Sequence, residues 1–385
     1  MPRKCPVFHN WRIRMKKQKL ALCIAVAGLA SAPAFAQEAE APGLNVDFYG
    51  HINMAIMHAD TGEGSEQYIV DNDYASSRVG ARVSTDLKDI DLKVGAHVEF
   101  EYQHNPSNLV TPDDRSIKGE WSERHVNLFA AGRYGKISIG QGSGAGDGVT
   151  ESDLSGTKVA SFPDLALVGG ALRFVDGSNI GPTLFTSVRS QDFEARYDRL
   201  RYDTPAFGPV KFALSQGYKE DQDITEVAAT YNTEVDGLGR LSAAIGYSTK
   251  DENDAGKRDL DTVGGSVSWL HDSGMNLTAV YSNAENDSGR DSDFNMLKGG
   301  YRTGKHSFTV HRAEGKDFNP ATVDAGGATV GAVEGSDVEI YGVAYVYQPV
   351  KRLDVFFAYN NFALDADNGD YDDVNIAMIG SRLKF

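Results

Sequence analysis

The run from Val374 to Phe385 reads Val-Asn-Ile-Ala-Met-Ile-Gly-Ser-Arg-Leu-Lys-Phe, with apolar residues at every second position and an aromatic at its end. Period two marks a strand with one apolar face. The last residues of a soluble domain tend to fray. The closing strand of a transmembrane barrel must instead be apolar on alternate residues, because one face meets lipid. On this reading Phe385 is the C-terminal element of barrel assembly.

The same period marks sixteen segments. The first group is Leu44–Ala59, Ser77–Leu87, Leu92–His104, Glu120–Ala131 and Lys136–Gly142. After a gap come Ala195–Thr204, Pro209–Lys219, Thr225–Thr233, Arg240–Thr249, Asp261–His271 and Met275–Ala284. Asp293–Arg302, His306–Glu314, Glu339–Gln348, Leu353–Phe362 and Val374–Phe385 complete the set. An even number returns both ends to one side, as single-chain bacterial barrels require. The connections also alternate in length. Lys88–Asp91, Gly132–Gly135, Val235–Gly239, Asp272–Gly274, Thr303–Lys305 and Pro349–Arg352 are short turns. Lys250–Leu260, Asn286–Ser292, Gly315–Val338 and Asp365–Asp373 are longer, acidic loops. Short turns on one side and long loops on the other is the periplasmic–extracellular asymmetry of such barrels. A soluble β-sandwich, the alternative all-β fold, has no such alternation.

The N-terminus agrees. Met15-Lys16-Lys17-Gln18-Lys19 is basic, Leu20 to Ala30 is apolar, and Ala34-Phe35-Ala36 offers small residues for cleavage. Residues 1–36 thus read as a signal peptide with an N-terminal extension, too short to span a membrane as a mature helix; a retained anchor is the alternative. Residues 37–385 form the barrel. Removing the leader takes Cys5, Cys23 and seven of the 38 Lys and Arg but none of the 54 Asp and Glu, leaving 31 bases against 54 acids, a net charge of −23. The mature chain then has no cysteine for disulfides or metal binding. Its acidity disfavours nucleic acid as a partner.

Strand faces follow from the alternation. Leu92, Val94, Ala96, Val98 and Phe100 oppose Lys93, Gly95, His97 and Glu99; Val79, Ala81 and Val83 oppose Arg78, Gly80, Arg82 and Ser84. An apolar outside and a charged inside imply a watery lumen, since a packed core would not tolerate those charges unpaired. Sixteen strands leave a bore too wide for side chains to fill.

One connection breaks the pattern. Residues 143–193 are too long for a plain loop and carry Phe162, Leu165, Leu167, Val168, Leu172 and Phe174. Folding inside the barrel would bury that apolar material and narrow the bore. The loop also brings Asp147, Glu151 and Asp153, and facing strands offer Arg78, Arg82, Arg199 and Arg201. Acids opposite arginines set up a transverse field that orients dipolar solutes and resists apolar ones. Solvated loop acids are the plainer reading.

Several motifs resemble the general porin family of Gram-negative outer membranes in its trimeric sixteen-stranded form. Ser77-Arg78-Val79-Gly80 is similar to the family's second-strand motif, whose arginine lines the eyelet, and Arg82 falls where a second base is common. Arg124 to Leu128 with Tyr134 to Gly140 resembles its fourth and fifth strands. Ser152-Asp153-Leu154-Ser155-Gly156-Thr157 resembles the opening of its inward loop, Arg201 to Gly208 the approach to the seventh strand, and Gly380 to Phe385 its closing motif. The resemblance implies a homotrimer in outer-membrane lipid and lipopolysaccharide. It also implies that Arg124 lines the pore, although alternation puts Arg124 on the face of Val126 and Leu128. A bulge there would reconcile the two; a subunit contact is the alternative.

Other chemistry is weaker. Gly140 to Gly146 is glycine-rich, but no helix follows to make a phosphate site. Asp365–Asp373 departs from the calcium-loop pattern at its Gly and at its twelfth position. The mature histidines are scattered without ligand spacing. The reading is therefore an all-β, 16-stranded antiparallel transmembrane barrel with a long inward-folded constriction loop. It serves as an outer-membrane channel for passive diffusion of small hydrophilic solutes and ions, with no cofactor, no metal and no catalytic residues. Net acidity suggests a modest cation preference that pore arginines could cancel or reverse. The alternatives are a substrate-specific channel, a surface barrel whose loops bind a partner, and a barrel hydrolase.

Overall fold

The computed structural model describes residues 43–177, 179–252, 259–286, 291–318, 321–323, 329–332, 335–367 and 369–385. The expected signal peptide and parts of the loops at Lys250–Leu260, Asn286–Ser292, Gly315–Val338 and Asp365–Asp373 lie outside the described residues. Val46–Phe385 is one compact unit; of the other, Met1–Asn45, only the last three residues are described.

Sixteen strands build the wall. The first eight are β1 (Leu44–Asp60), β2 (Arg78–Leu87), β3 (Leu92–Gln103), β4 (Glu120–Gly132), β5 (Gly135–Ser143), β6 (Arg196–Asp203), β7 (Val210–Lys219) and β8 (Gln222–Val235). The others are β9 (Gly239–Glu252), β10 (Leu260–Leu270), β11 (Met275–Asn286), β12 (Asp291–Thr303), β13 (His306–Lys316), β14 (Asp337–Val350), β15 (Leu353–Ala366) and β16 (Val374–Lys384). Each pairs with its sequence neighbours, and β16 returns antiparallel to β1, from His51↔Lys384 to Asp60↔Asn375. Among the described residues the sixteen strands close into a ring, so each finds backbone partners on both sides within the wall, as hydrocarbon requires. Phe385 sits at this seam: its N–H donates to Gly50 O at 3.0 Å, and its carbonyl accepts from Gly50 N at 3.2 Å.

The strands occupy the segments that alternation predicts, and several overrun them. β8 begins at Gln222 rather than Thr225. It follows β7 through only Glu220 and Asp221, so one connection on the long-loop side is tight; Glu220 takes the left-handed conformation the turn needs (φ 56°). A second departure precedes β2. Ser65–Asp71 pairs with the upper half of β1, from Met54↔Asp71 to Asp60↔Ser65. The chain then leaves the sheet through a 3₁₀ turn, Asp73–Ala75, capped by Asn72, whose Oδ1 accepts from Tyr74 N at 3.1 Å. This break sends Tyr74 inward, where its hydroxyl donates to Leu165 O at 3.0 Å.

The interior corrects one expectation. On the staves β12, β14, β15, β16 and β1 apolar side chains stand on both faces. Leu297, Val310, Tyr341 and Ile379 are exposed outside, while Met57, Phe294, Met296, Ile340, Phe356, Phe362, Ile376 and Met378 are buried inside. They pack against Leu165, Leu172, Phe174, Leu184 and Val188 of the connection between β5 and β6. The lumen is therefore not charged all round: part of its wall seats an apolar core. Each fully buried aliphatic or aromatic side chain there contributes about 1.5–3 kcal/mol, which holds the inserted loop in place.

Candidate functional site: the narrowed lumen

Gly144 starts the inward turn. A Cβ on it would run into the Glu226 carboxylate and the Tyr197 ring, so a larger residue would displace the group that ties the loop. Glu226 is buried and accepts from Gly146 N at 2.9 Å and Glu194 N at 3.3 Å, tying the two ends of the loop together. Between them the loop follows a row of hydroxyls on the middle staves. Ser266 Oγ accepts from Ser152 N at 2.9 Å, Ser268 Oγ accepts from Leu154 N at 2.8 Å, and Ser282 Oγ donates to Ser190 O at 2.7 Å. Small polar side chains let loop backbone approach the wall and replace its water hydrogen bonds.

Further on, a buried polar chain crosses the interior. Lys298 Nζ donates to Asp153 Oδ2 and Ser161 O, both at 2.7 Å, with the Lys and Asp side chains fully buried. Ser161 Oγ meets His311 Nδ1 at 3.1 Å, and His311 Nε2 meets Asn360 Oδ1 at 3.0 Å. Asn360 Nδ2 then donates to Tyr74 OH at 3.3 Å. One loop is thereby fastened to β12, β13, β15 and the break before β2. Burial alone would raise the Asp153 carboxyl, but the Lys298 charge overrides it and holds the group below the usual carboxylate range.

The opposite side stays open. A cavity of about 830 Å³ is bounded on the wall by Arg78, Arg82, Arg124, Arg196 and Arg382 together with Glu99, and on the loop by Asp147, Glu151 and Asp192 together with Lys158 and Arg189; Arg382 is paired with Asp354 at 2.7 Å. Oxygen atoms of the three acids lie within 4.8 Å of one another. Asp192 accepts from Thr150 Oγ1 at 2.7 Å and from Gly148 N at 3.1 Å. Burial, then the charges of Glu151 and Asp147, push Asp192 well above the normal range. Burial raises Asp147 as well, against the pull of Arg196. The cluster therefore retains a proton at a pH where isolated carboxylates are ionised. Glu151 also meets Lys158 Nζ at 2.8 Å.

Among the wall bases, Arg124 sits where its strand is bulged. His125 pairs with Glu99 and Glu123 with Phe100, so Arg124 is the extra residue. The bulge turns its side chain inward despite the alternation. There Arg124 reaches Glu99 and Glu101, both at 2.6 Å. Arg78 lies 3.8 Å from the same Glu99. Arg82 stacks over the Tyr49 ring at 4.2 Å and is half-exposed.

Three sequence-predicted residues are placed elsewhere. Asp153 does not line the cavity, because Lys298 seals it. Arg199 and Arg201 border a second cavity of about 520 Å³. Arg199 donates to Gly140 O at 2.8 Å, and Arg201 pairs with Asp203 at 2.7 Å and donates to the Gly144 carbonyl. Both arginines brace the root of the loop instead of facing its acids. Sequence reasoning missed Arg196, Arg382 and Asp192. By alternation Arg196 shares the outward face of Asp198 and Leu200. Left-handed Gln191, Phe193 and Ala195 (φ 49°, 49° and 51°) re-aim the chain just before it. Arg382 sits in the closing motif and could have been read there. Asp192 stands far from Asp147 in sequence, and no spacing links them.

The chain closes into a barrel with an inserted loop and a polar, off-axis passage, and the family model for Gram-negative porins matches residues 21–367. The chain belongs to the Gram-negative porin family. The porin is an outer-membrane channel for passive diffusion. Solved structures with this fold include an anion-selective porin from Comamonas acidovorans (TM-score 0.59, 16% identity, 89% of this chain and 100% of that chain). A loop L8 deletion mutant of OmpT, an outer membrane protein of Vibrio cholerae, gives a TM-score of 0.57 at 18% identity, again over 89% and 100%. A mutant porin of Rh. blastica gives 0.51 at 14% identity, with 89% and 100% covered. No curated protein matches the sequence.

Proposed function

We propose that small hydrophilic solutes and ions cross this porin through the off-axis cavity, between the arginine wall and the acids of the loop. Asp147 and Glu151, joined by Asp192, form the acidic side; Arg78, Arg82, Arg124, Arg196 and Arg382 form the basic side. The observation that carries the reading is that these opposed groups border one cavity while another part of the lumen is packed. Glu99 and Glu101 offset part of the wall charge, but the loop acids share a proton. Burial favours the neutral form of Asp147 and Asp192, so the basic side is the more strongly charged, and passage favours anions even though the chain as a whole is acidic. Local pore charge outweighs distant surface charge because salt screens the latter beyond about 8–10 Å.

The chain acts as a channel with no catalytic step, in an outer membrane of phospholipid and lipopolysaccharide. It assembles as a homotrimer, a reading supported by the family and by the trimer form recorded for OmpT of Vibrio cholerae. The test is conductance and reversal potential of refolded protein in a planar bilayer under a KCl gradient. Ohmic steps with an anion-directed potential support the reading; trimers without conductance would favour a surface-binding barrel.

A further inference from the structure

The outer wall carries a groove that the passage does not use. It measures about 510 Å³ and is bordered by Tyr301, Phe308, Val310, Val343, Tyr345 and Phe357, with Gly299 at its floor. The strand registers arrange these residues in two rungs, Gly299↔Val310↔Val343 and Tyr301↔Phe308↔Tyr345↔Phe357. A Cβ on Gly299 would have no atom within 4 Å, so this glycine leaves an open slot in an otherwise continuous apolar face. Phe308 and Tyr345 stack at 4.7 Å, and His306 closes the lower end with a 2.8 Å bond to Tyr345 OH.

The two ends of the groove differ in charge. Above it, Arg312 and Lys316 are already matched by Glu314, Glu339 and Asp337. A phosphate gains little there. Below it, at the short-turn end of the same staves, stand exposed Lys305, Lys351 and Arg352. Their turns adjoin, since Gln348 N donates to Lys305 O at 2.8 Å. Gly299 is about 20 Å along the strand from Lys305 at ~3.4 Å per residue. With a tilt near 40° that is about 15 Å of depth, half of a hydrocarbon core of about 30 Å.

We infer that this groove is a binding site for an anionic glycerophospholipid of the inner leaflet. One acyl chain lies over Gly299 between the two aromatic and valine rungs, and the headgroup phosphate meets Lys305, Lys351 and Arg352. The charge asymmetry selects the inner-leaflet source over a phosphorylated glycolipid of the outer leaflet.

Native mass spectrometry of the delipidated protein, titrated with palmitoyl-oleoyl phosphatidylglycerol or the matching phosphatidylcholine, tests the site. The wild type should retain phosphatidylglycerol preferentially. Gly299→Leu points into lipid, where nothing clashes, so it should fold and conduct normally. It should weaken retention about tenfold, the loss expected when roughly two methylenes are displaced. Lys305→Ser/Lys351→Ser/Arg352→Ser should bring the two lipids to equal retention. Three outcomes overturn the inference: unchanged retention by Gly299→Leu, equal retention of both lipids by the wild type, or a Gly299→Leu protein whose subunit number changes. The last would show that a second copy of this chain covers the face.

Discussion

The two halves of this barrel interior solve opposite problems with the same alternating strands. On β2, β3, β4 and β6 the inward positions carry Arg78, Arg82, Glu99, Arg124 and Arg196, and the space before them is open. On β12, β14, β15 and β16 those positions carry Phe294, Ile340, Phe356 and Ile376, and the space is filled by the loop. The passage is narrow because one wall binds the loop, and selective because the other does not. Charge on the open side is tolerable since water and solute reach it. On the packed side a charge survives only if fully paired, and Lys298 is the case in point.

The sharpest way to break this contrast is to unpair that lysine. Lys298→Met leaves Asp153 buried without its cation, and removing one partner of a buried pair costs about 3–5 kcal/mol. The loop should loosen. Expected readouts are a lowered thermal transition of the folded barrel and larger, noisier conductance steps. Lys298→Met with Asp153→Leu should recover most of the stability, because two well-packed apolar groups can replace a buried ion pair. A single mutant with wild-type melting and conductance would show that the apolar contacts alone hold the loop.

Charge changes on the open side should leave folding nearly intact and move selectivity. Arg196→Ala should shift the reversal potential toward cations, and Asp147→Asn toward anions. The effect of Asp147→Asn should be the smaller, because burial already favours the neutral form of that acid. Equal and opposite shifts would show that the loop acids are fully ionised.

The same protonation gives a pH dependence with a fixed sign. Asp192 and Asp147 have raised pKa values, so they ionise as pH rises through those values and lose charge as it falls. Anion preference should therefore decline as pH rises through those values. Asp192→Asn should flatten the profile. An Asp192→Asn profile as steep as that of the wild type would place the titrating group outside this acid cluster.

How much of this was legible in the sequence follows the same division. The period-two pattern locates all sixteen staves, because each strand separates two different surroundings; on β16 the alternating set Val374, Ile376 and Met378 faces the inserted loop and not lipid. It also assigns Arg78 and Arg82 to the interior. It does not reveal that Ile376 and Met378 face inward, since a strand that is apolar on both faces gives no sign of which side meets lipid. Nor does alternation survive where the backbone departs from it: the bulge at Arg124 and the left-handed residues before Arg196 each reverse a face. The loop acids were visible as residues but not as a cluster. Folding brings Asp192 to Asp147 from the far end of the connection, and it buries Asp153 under a lysine on β12.

Arg82 marks the lower limit of the contrast. It borders the cavity, yet its guanidinium is half-exposed, and its nearest carboxylate, on Asp47, stands 4.0 Å away. An exposed pair of that length contributes little, within about 0.5 kcal/mol. The Tyr49 ring beneath it adds a contact of similar size. Arg82→Ala should thus leave the thermal transition unchanged and move the reversal potential toward cations by less than Arg196→Ala does. Arg196 acts directly on Asp147, where the acids and bases oppose each other, whereas Arg82 is turned toward Tyr49 and Asp47. A shift as large as that of Arg196→Ala, measured in the same KCl gradient, would move the narrowest point of the passage to the level of Tyr49.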